Sequence, residues 1–394
     1  MSATFSALHD LESKLHELDR RAQRRRRRIQ QKPCGPEARI DGRVMLSFAS
    51  NDYLGLANAP ELIEAAREAL PHWGLGSGAS HLVSGHTEAH EAMEQQLARF
   101  TGMPAAISFS TGYLANIAVM PALLGREDEI FADRLNHASL IDGALLSRAR
   151  LTRYAHCDLA MLGRQLEASR ARRKLIVTDS VFSMDGDLAP LPALLELAER
   201  YDAWLLIDDA HGFGVLGPQG RGALAAAGLS SPRLILMATL GKAAGVGGAF
   251  VAAHPVVVEW LMQTARPCIF TTATPPLLAA AVCRALELIE AGDARRARLQ
   301  QLIARLRQGL EALGYRTAAS ATPIQPVIIG ENAQALSLSR ALEERGLYVP
   351  AIRPPTVPQG SARLRVSLTA AHSEADVDRL LEAMREARTD MPSA

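Results

Sequence analysis

The chain has 394 residues, of which 48% are hydrophobic and 22% charged, and its formal net charge is only +1. That length suggests one large domain with smaller ones attached, while no apolar run approaches the roughly 20 residues that cross a bilayer and the N-terminus lacks the uninterrupted apolar core of a signal peptide. Cys34, Cys157, Cys268 and Cys283 are scattered without C-x-x-C spacing, which indicates neither a disulfide framework nor a zinc site and points to a reducing, cytoplasmic setting.

Leu8, Leu11, Leu15 and Leu18 recur at helical spacing, and Arg20, Arg21 and Arg24 to Arg28 follow as the strongest charge cluster. A nucleic-acid surface would set aromatic or groove-reading partners beside those arginines, but the chain is 5% aromatic and nearly neutral overall, so no nucleic acid is expected. Multiphosphorylated acyl carriers such as coenzyme A, or the acidic surface of a carrier protein, suit such a patch. After Pro33 and Gly35 the pattern turns regular, so residues 1–45 are expected to form a helical, basic segment and 46–290 a large α/β domain. Gly74, Gly76 and Gly78 resemble part of a dinucleotide fingerprint, but they follow Pro71, His72 and Trp73 rather than a clear strand and lack the final glycine, which argues against a nicotinamide site.

The apolar run 105–109 enters Ser110, Thr111, Gly112 and Tyr113 before a helical stretch from Leu114. A hydroxyl-rich turn with glycine at a helix N-terminus offers free N–H groups and the positive end of the helix dipole to a phosphate, although the same residues are common caps. The strand 129–133 leads through Asn136, His137, Ala138 and Ser139 into another helix. There His137 either caps and packs, or stacks on a flat heteroaromatic ring. The strand 174–178 ends near Ser183, Met184, Asp185, Gly186 and Asp187, where Asp-Gly also makes an ordinary turn.

The most informative run is 203–207, a strand that reads as buried on both faces, ending in Asp208, Asp209, Ala210 and His211. After one further strand come Thr239, Leu240, Gly241 and Lys242. Singly, such residues are caps and surface charges. Together they supply what pyridoxal phosphate demands: an amine for a Schiff base, an acid for the pyridinium proton and donors for phosphate and ring hydroxyl. Gly241 and Lys242 do not make a P-loop, because Leu236 and Ala243 stand where glycine and Ser/Thr are required.

From about Ala291 the chain changes character, with an amphipathic helix at 295–313, short strands at 326–329 and 363–368 and a closing helix at 374–388. A smaller α+β domain is expected over 291–394. Its proline-stiffened loop 351–358 carries Arg353 and Thr356, and loops of this kind are often functional. Arg365, on the strand that follows, is either a surface charge or a planar fork for a carboxylate.

These residues resemble the α-oxoamine synthases, within the fold type I pyridoxal-phosphate enzymes. The resemblance runs from about Arg25 to His372 and rests on Ser50-Asn51-Asp52-Tyr53-Leu54-Gly55-Leu56, Gly76-Ser77-Gly78 with Ser84-Gly85-His86, Phe182 to Asp187, Asp208-Asp209-Ala210-His211-Gly212 and Thr239 to Lys242. The loop Ile352 to Pro358, followed by Ala362-Arg363-Leu364-Arg365, is most similar to the branch that makes 8-amino-7-oxononanoate for biotin. The implied fold is a large domain with a mostly parallel central sheet and a smaller α+β C-terminal domain. The implied reaction joins L-alanine to a pimeloyl group carried on coenzyme A or acyl carrier protein, with pyridoxal phosphate as cofactor and no metal.

By the same resemblance, Lys242 would hold the cofactor covalently and move the substrate proton, Asp208 would pair with the pyridine nitrogen, and Asp209 would face away. His137 would stack on the ring and assist near the developing oxyanion, and Ser183 and His211 would meet the phenolic oxygen. Gly112, Tyr113 and Thr239 would surround the phosphate. Arg365 would bind the amino-acid carboxylate, and Arg25 and Thr356 the acyl substrate. A homodimer with sites at its two-fold interface is implied, and Thr271 and Thr272 are candidates for reaching the neighbouring subunit. Alternatives from the residues themselves are a glycine C-acetyltransferase on the same core, a pyridoxal-binding regulator using Arg24 to Arg28 on DNA, and a nicotinamide dehydrogenase.

Overall fold

In the computed structural model, which describes residues 6–389, the first strands are β1 (Glu37–Ile40) and β2 (Arg43–Ser47), an antiparallel hairpin. Asp41 and Gly42 turn it with φ of 49° and 84°, the geometry whose twist matches the flanking strands. A seven-stranded sheet follows, built from β3 (Ala105–Phe109), β4 (Glu129–Asp133), β5 (Arg150–Tyr154), β6 (Lys174–Asp179), β7 (Ala203–Asp208), β8 (Leu234–Thr239) and β9 (Ala249–Ala253). Its order is β3-β9-β8-β7-β6-β4-β5, parallel except that β9 is antiparallel to both neighbours.

The C-terminal part adds β10 (Ile324–Gly330), β11 (Leu347–Tyr348), β12 (Ala351–Ile352) and β13 (Ala362–Ser367), with an antiparallel sheet in the order β10-β13-β12. Strand β11 instead pairs in parallel with β2. Residues from both sides of the expected 46–290 domain therefore share one small sheet.

Alternation along β7 explains the continuous apolar run. Leu205 and Ile207 pack with Phe131, Ile176 and Phe213 on one face, while Leu206 packs with Leu175, Val177 and Val119 on the other. Each such burial stabilises by about 1.5–3 kcal/mol. The parallel strands β4, β6, β7 and β8 finish at one edge with Asp133, Asp179, Asp208 and Thr239, which is where open α/β sheets bind ligands.

Two local features differ from or bear on the sequence reading. The helix after β3 is Gly112–Leu123, beginning two residues before Leu114, because Thr111 takes the N-cap and its side chain accepts from Leu114 N. Gly74, Gly76 and Gly78 follow the helix Pro60–Trp73 and precede a π-turn at His81–Gly85, so no strand leads into them. Among the described residues no helix is long and apolar enough to cross a membrane.

Candidate active site

Asp208 closes β7 on the Leu206 face, buried, and accepts from Asn116 Nδ2 at 2.7 Å and Ala210 N at 3.0 Å. Asp209 turns the other way, as strand alternation requires, and accepts from Ser180 Oγ at 2.6 Å and Ala223 N at 3.0 Å. Burial pushes the Asp209 carboxyl up to about 7. No lysine or arginine forms a salt bridge with Asp208 among the described residues. A buried carboxylate left in that state is costly, so a ligand with a positive or N–H group fits there.

The turn after β4 presents His137. Its backbone N–H donates to Asp179 Oδ2 at 2.8 Å, and its Nδ1 lies 2.7 Å from Ser139 Oγ. Ser139 Oγ in turn accepts from Asn116 Nδ2 at 2.9 Å, so the hydroxyl proton goes to Nδ1 and the ring proton rests on Nε2, a tautomer set by the network. The imidazole is exposed at this edge yet partly desolvated, which lowers its pKa. Burial, reinforced by the Asp208 charge, raises the Asp179 carboxyl well above its ordinary range.

Lys242 follows β8 and is half-buried, with Nζ 2.8 Å from His211 Nε2. His211 Nδ1 is 2.6 Å from the Tyr53 hydroxyl, which lies 3.2 Å from Asn51 Oδ1, and that oxygen accepts from Arg365 Nη1 at 3.1 Å. One consistent set of protons runs through this chain: Lys242 donates to His211, His211 to Tyr53, and Tyr53 and Arg365 to Asn51. Burial lowers the Lys242 amine to about 8 against the opposing pull of Asp208, and holds His211 well below its ordinary value. Arg365 is buried on β13, with Nε donating to Ser183 O at 2.7 Å and Nη1 also to Ser367 Oγ at 2.7 Å. No carboxylate pairs with it among the described residues, whereas Arg363, two residues earlier, pairs with Asp185 at 2.5 Å.

Gly112 and Tyr113 lie in the first turn of their helix, where backbone N–H groups have no intrahelical acceptor. A Cβ on Gly112 would meet only ordinary contacts, 3.6 Å to Thr239 and 3.7 Å to Met237. Packing does not demand glycine here, and the space left suits close approach of an anion to the backbone. The Tyr113 hydroxyl donates to Asp142. Thr239 Oγ1 donates to Gly248 O at 3.1 Å. The unpaired acid, the amine of lowered pKa and this open helix start fit a phosphorylated pyridine aldehyde.

Arg25 and Thr356 come together elsewhere, Arg25 Nη2 donating to Thr356 Oγ1 at 3.3 Å. They line a cavity of about 700 Å³ with Arg24, Arg28, Arg340 and Arg353, and neither Lys242 nor Asp208 lines it. Arg24 is paired with Asp19, and Arg28 with Asp41 and Glu343, but Arg25, Arg340 and Arg353 form no salt bridge among the described residues. Burial, then the charges of Arg25 and Arg340, lower the Arg353 pKa. The cavity, which Asp19 and Glu343 also line, thus holds three guanidinium groups without a salt-bridge partner among the described residues.

Residues 43–384 match the family described as aminotransferase class I and II. The chain belongs to the class I and II aminotransferases. Within them, it is 64% identical over 377 residues to the 8-amino-7-oxononanoate synthase of Aromatoleum aromaticum, covering 96% of this chain and 98% of that protein. Among solved structures, a serine palmitoyltransferase from S. paucimobilis with bound PLP and myriocin superposes with a TM-score of 0.92 at 31% identity over 98% of each chain. The 8-amino-7-oxononanoate synthase from Francisella tularensis superposes with a TM-score of 0.77 at 33% identity over 88% of this chain and 98% of that one. The expected fold class, a mostly parallel sheet with a smaller α+β part, is the fold of this aminotransferase family.

Sequence reasoning assigns no individual role to Asn51, Tyr53, Asn116, Ser139 or Asp179. Asp179 carried a readable signal, since it closes a strand as Asp208 does. Asn51 and Tyr53 lie inside a recognised motif but without stated partners. Asn116 carried no signal beyond being a polar residue on an apolar helix.

Proposed function

We infer that the protein catalyses the 8-amino-7-oxononanoate synthase reaction with pyridoxal phosphate: L-alanine condenses with a pimeloyl thioester, giving 8-amino-7-oxononanoate, carbon dioxide and the free thiol carrier, a step toward biotin. The observation that carries this reading is the 64% identity to a synthase of that name over nearly the whole of both chains. The Lys242 and Asp208 edge supplies chemistry to match.

When bound, pyridoxal phosphate supplies an aldehyde for an amine and a protonated ring that accepts the electron pair left at the amino-acid Cα. Lys242 provides the amine that holds it. With a pKa near 8, the same group takes the Cα proton of alanine and returns a proton after decarboxylation. Asp208 keeps the ring nitrogen protonated, and Asn116 fixes that carboxylate by its 2.7 Å bond. His137, held by Ser139 with its proton on Nε2, would pack against the ring and offer that proton to the acyl oxygen. Ser183 and His211 meet the phenolic oxygen, and Gly112, Tyr113 and Thr239 hold the phosphate region. Arg365, lacking a carboxylate partner, takes that of alanine in a two-bond grip.

Arg25 and Thr356 contact the acyl substrate, and the neighbouring arginines meet phosphate groups shared by coenzyme A and the phosphopantetheine arm of a carrier protein. The working unit is a homodimer with its sites at the two-fold interface. In the turn proposed to reach the neighbour, Thr272 forms a bridge to Ser80, so any contact made by Thr271 and Thr272 is braced from within the subunit.

Product mass and thiol release are to be measured for the cofactor-loaded protein with L-alanine and pimeloyl-CoA, and in parallel with glycine and acetyl-CoA. Turnover of the first pair alone is expected. Turnover of the second alone would move the chain to the glycine C-acetyltransferase reaction.

A further inference from the structure

The loop 183–187, which carries Ser183, is held residue by residue from the C-terminal part of the chain. Arg365 donates to Ser183 O at 2.7 Å and Arg363 to Met184 O at 3.0 Å and Asp185 Oδ1 at 2.5 Å. Ser320 Oγ and Thr322 Oγ1 donate to Gly186 O at 2.9 and 3.1 Å. Gly186 has a φ of 73°, and a Cβ there would lie 2.4 Å from Ser320 Oγ, so the seat is close. Asp187 is held from the opposite side, by His156 Nε2 at 2.6 Å. Its other oxygen, Oδ1, is buried without a partner, so His156 is the charged group on which Asp187 depends among the described residues.

His156 follows β5, with its ring edge-on to Phe182 at 4.4 Å between centroids. Its Nδ1 lies 3.0 Å from Asp133 Oδ1. Asp133 also accepts from Leu135 N and from Cys157 N, each at 2.8 Å, and so orders the turn that leads to His137. One imidazole thus joins the two loops that bring His137 and Ser183 to the site. The two carboxylates raise the ring's pKa to about 12, and with one carboxylate at each nitrogen the geometry favours the form in which both donate.

We propose that His156 is a positioning residue: it ties the His137 turn to the 183–187 loop and thereby sets Arg365, through Ser183, at the distance an amino-acid carboxylate requires. This rests on the reading of Arg365 given above. Asp133 and Asp187 would repel each other without the bridge, the loop would lose its hold on the His137 side, and alanine binding would weaken while the Lys242 chemistry persisted.

The test uses the full-length, cofactor-loaded protein with H156A and H156Q. Amide hydrogen exchange in 133–139 and 183–187 is expected to quicken together by about tenfold in H156A, with the rest of the sheet edge unchanged. The alanine KM is expected to rise about tenfold, with kcat falling by a smaller factor because His137 sits on the loosened turn, and the pimeloyl-CoA KM unmoved. H156Q, which can serve one carboxylate without charge, should fall between parent and H156A, and it carries the same test if H156A does not fold. Quickened exchange in one segment only, or an unchanged alanine KM in a variant of lowered thermal stability, would overturn the proposal and leave His156 a stability residue. If the parent itself does not use alanine, the functional reading fails, and the exchange arm alone decides the bridge.

Discussion

The Lys242 centre and the arginine-lined cavity both gather charge, but they hold it differently. In the centre, each group is fixed by a neutral or complementary neighbour: Asn116 on Asp208, Tyr53 on His211, and Asn51 and Ser183 on Arg365. In the cavity, Arg25 donates to the Thr356 hydroxyl and Arg353 to Ala22 O, and among the described residues neither they nor Arg340 form a salt bridge, although Asp19 and Glu343 also line it. Under the proposed function, the difference matches a division of labour. Proton movement needs atoms placed to within a fraction of an ångström before the substrate arrives, whereas gripping a phosphorylated carrier needs excess positive charge on long arms.

Variants can break this contrast, and their effects should rank by region. Lys242→Ala should abolish turnover, because no other amine lies in the hydrogen-bonded chain of the site; steady-state assay at high enzyme concentration checks it. Asp208→Asn keeps the shape but removes the buried charge, and a loss of about 3–5 kcal/mol, at least 100-fold in kcat, is expected; a fall below tenfold would remove Asp208 from its role. Arg365→Ala should raise the alanine KM by about 10- to 100-fold through the loss of a charged two-bond contact, with the acyl KM unmoved, as separate substrate titrations would reveal. Arg25→Ala should raise only the acyl KM, by a few-fold, and added salt should weaken acyl binding in the parent by screening the same charges.

The smallest effect is one of pH. The Lys242 amine is lowered from 10.5 to about 8, chiefly by burial. Below that value it is an ammonium and cannot attack an aldehyde, so capture of pyridoxal phosphate by the apoprotein should accelerate as pH rises through about 8 and then level off. Absorbance-monitored binding across pH 6.5 to 10 checks it. A rate still climbing at pH 10 would mean an ordinary, solvated lysine.

The strand-edge chemistry could be read from sequence because it follows strand alternation: Asp208 and Asp209 must face opposite ways, and the structure places Asn116 on one and Ser180 on the other. The apolar runs likewise announced a sheet buried on both faces. What stayed hidden depends on distant chain segments meeting. Arg25 and Thr356 are 331 positions apart, and Asn116 reaches an acid 92 residues away. The pairing of β2 with β11 was equally invisible, because a two-residue strand has no periodicity to detect. His156 belonged to no motif, and its two carboxylate partners, Asp133 and Asp187, lie 23 and 31 positions away.

The most direct measurement is deuterium incorporation at the Cα of L-alanine in D2O, without any acyl donor, for the cofactor-loaded parent, Lys242→Ala and Arg25→Ala proteins. Equal exchange in the parent and Arg25→Ala with none in Lys242→Ala is the expected result. Persistent exchange in Lys242→Ala, or its loss in Arg25→Ala, would contradict the division between a proton-moving centre and a carrier-binding cavity.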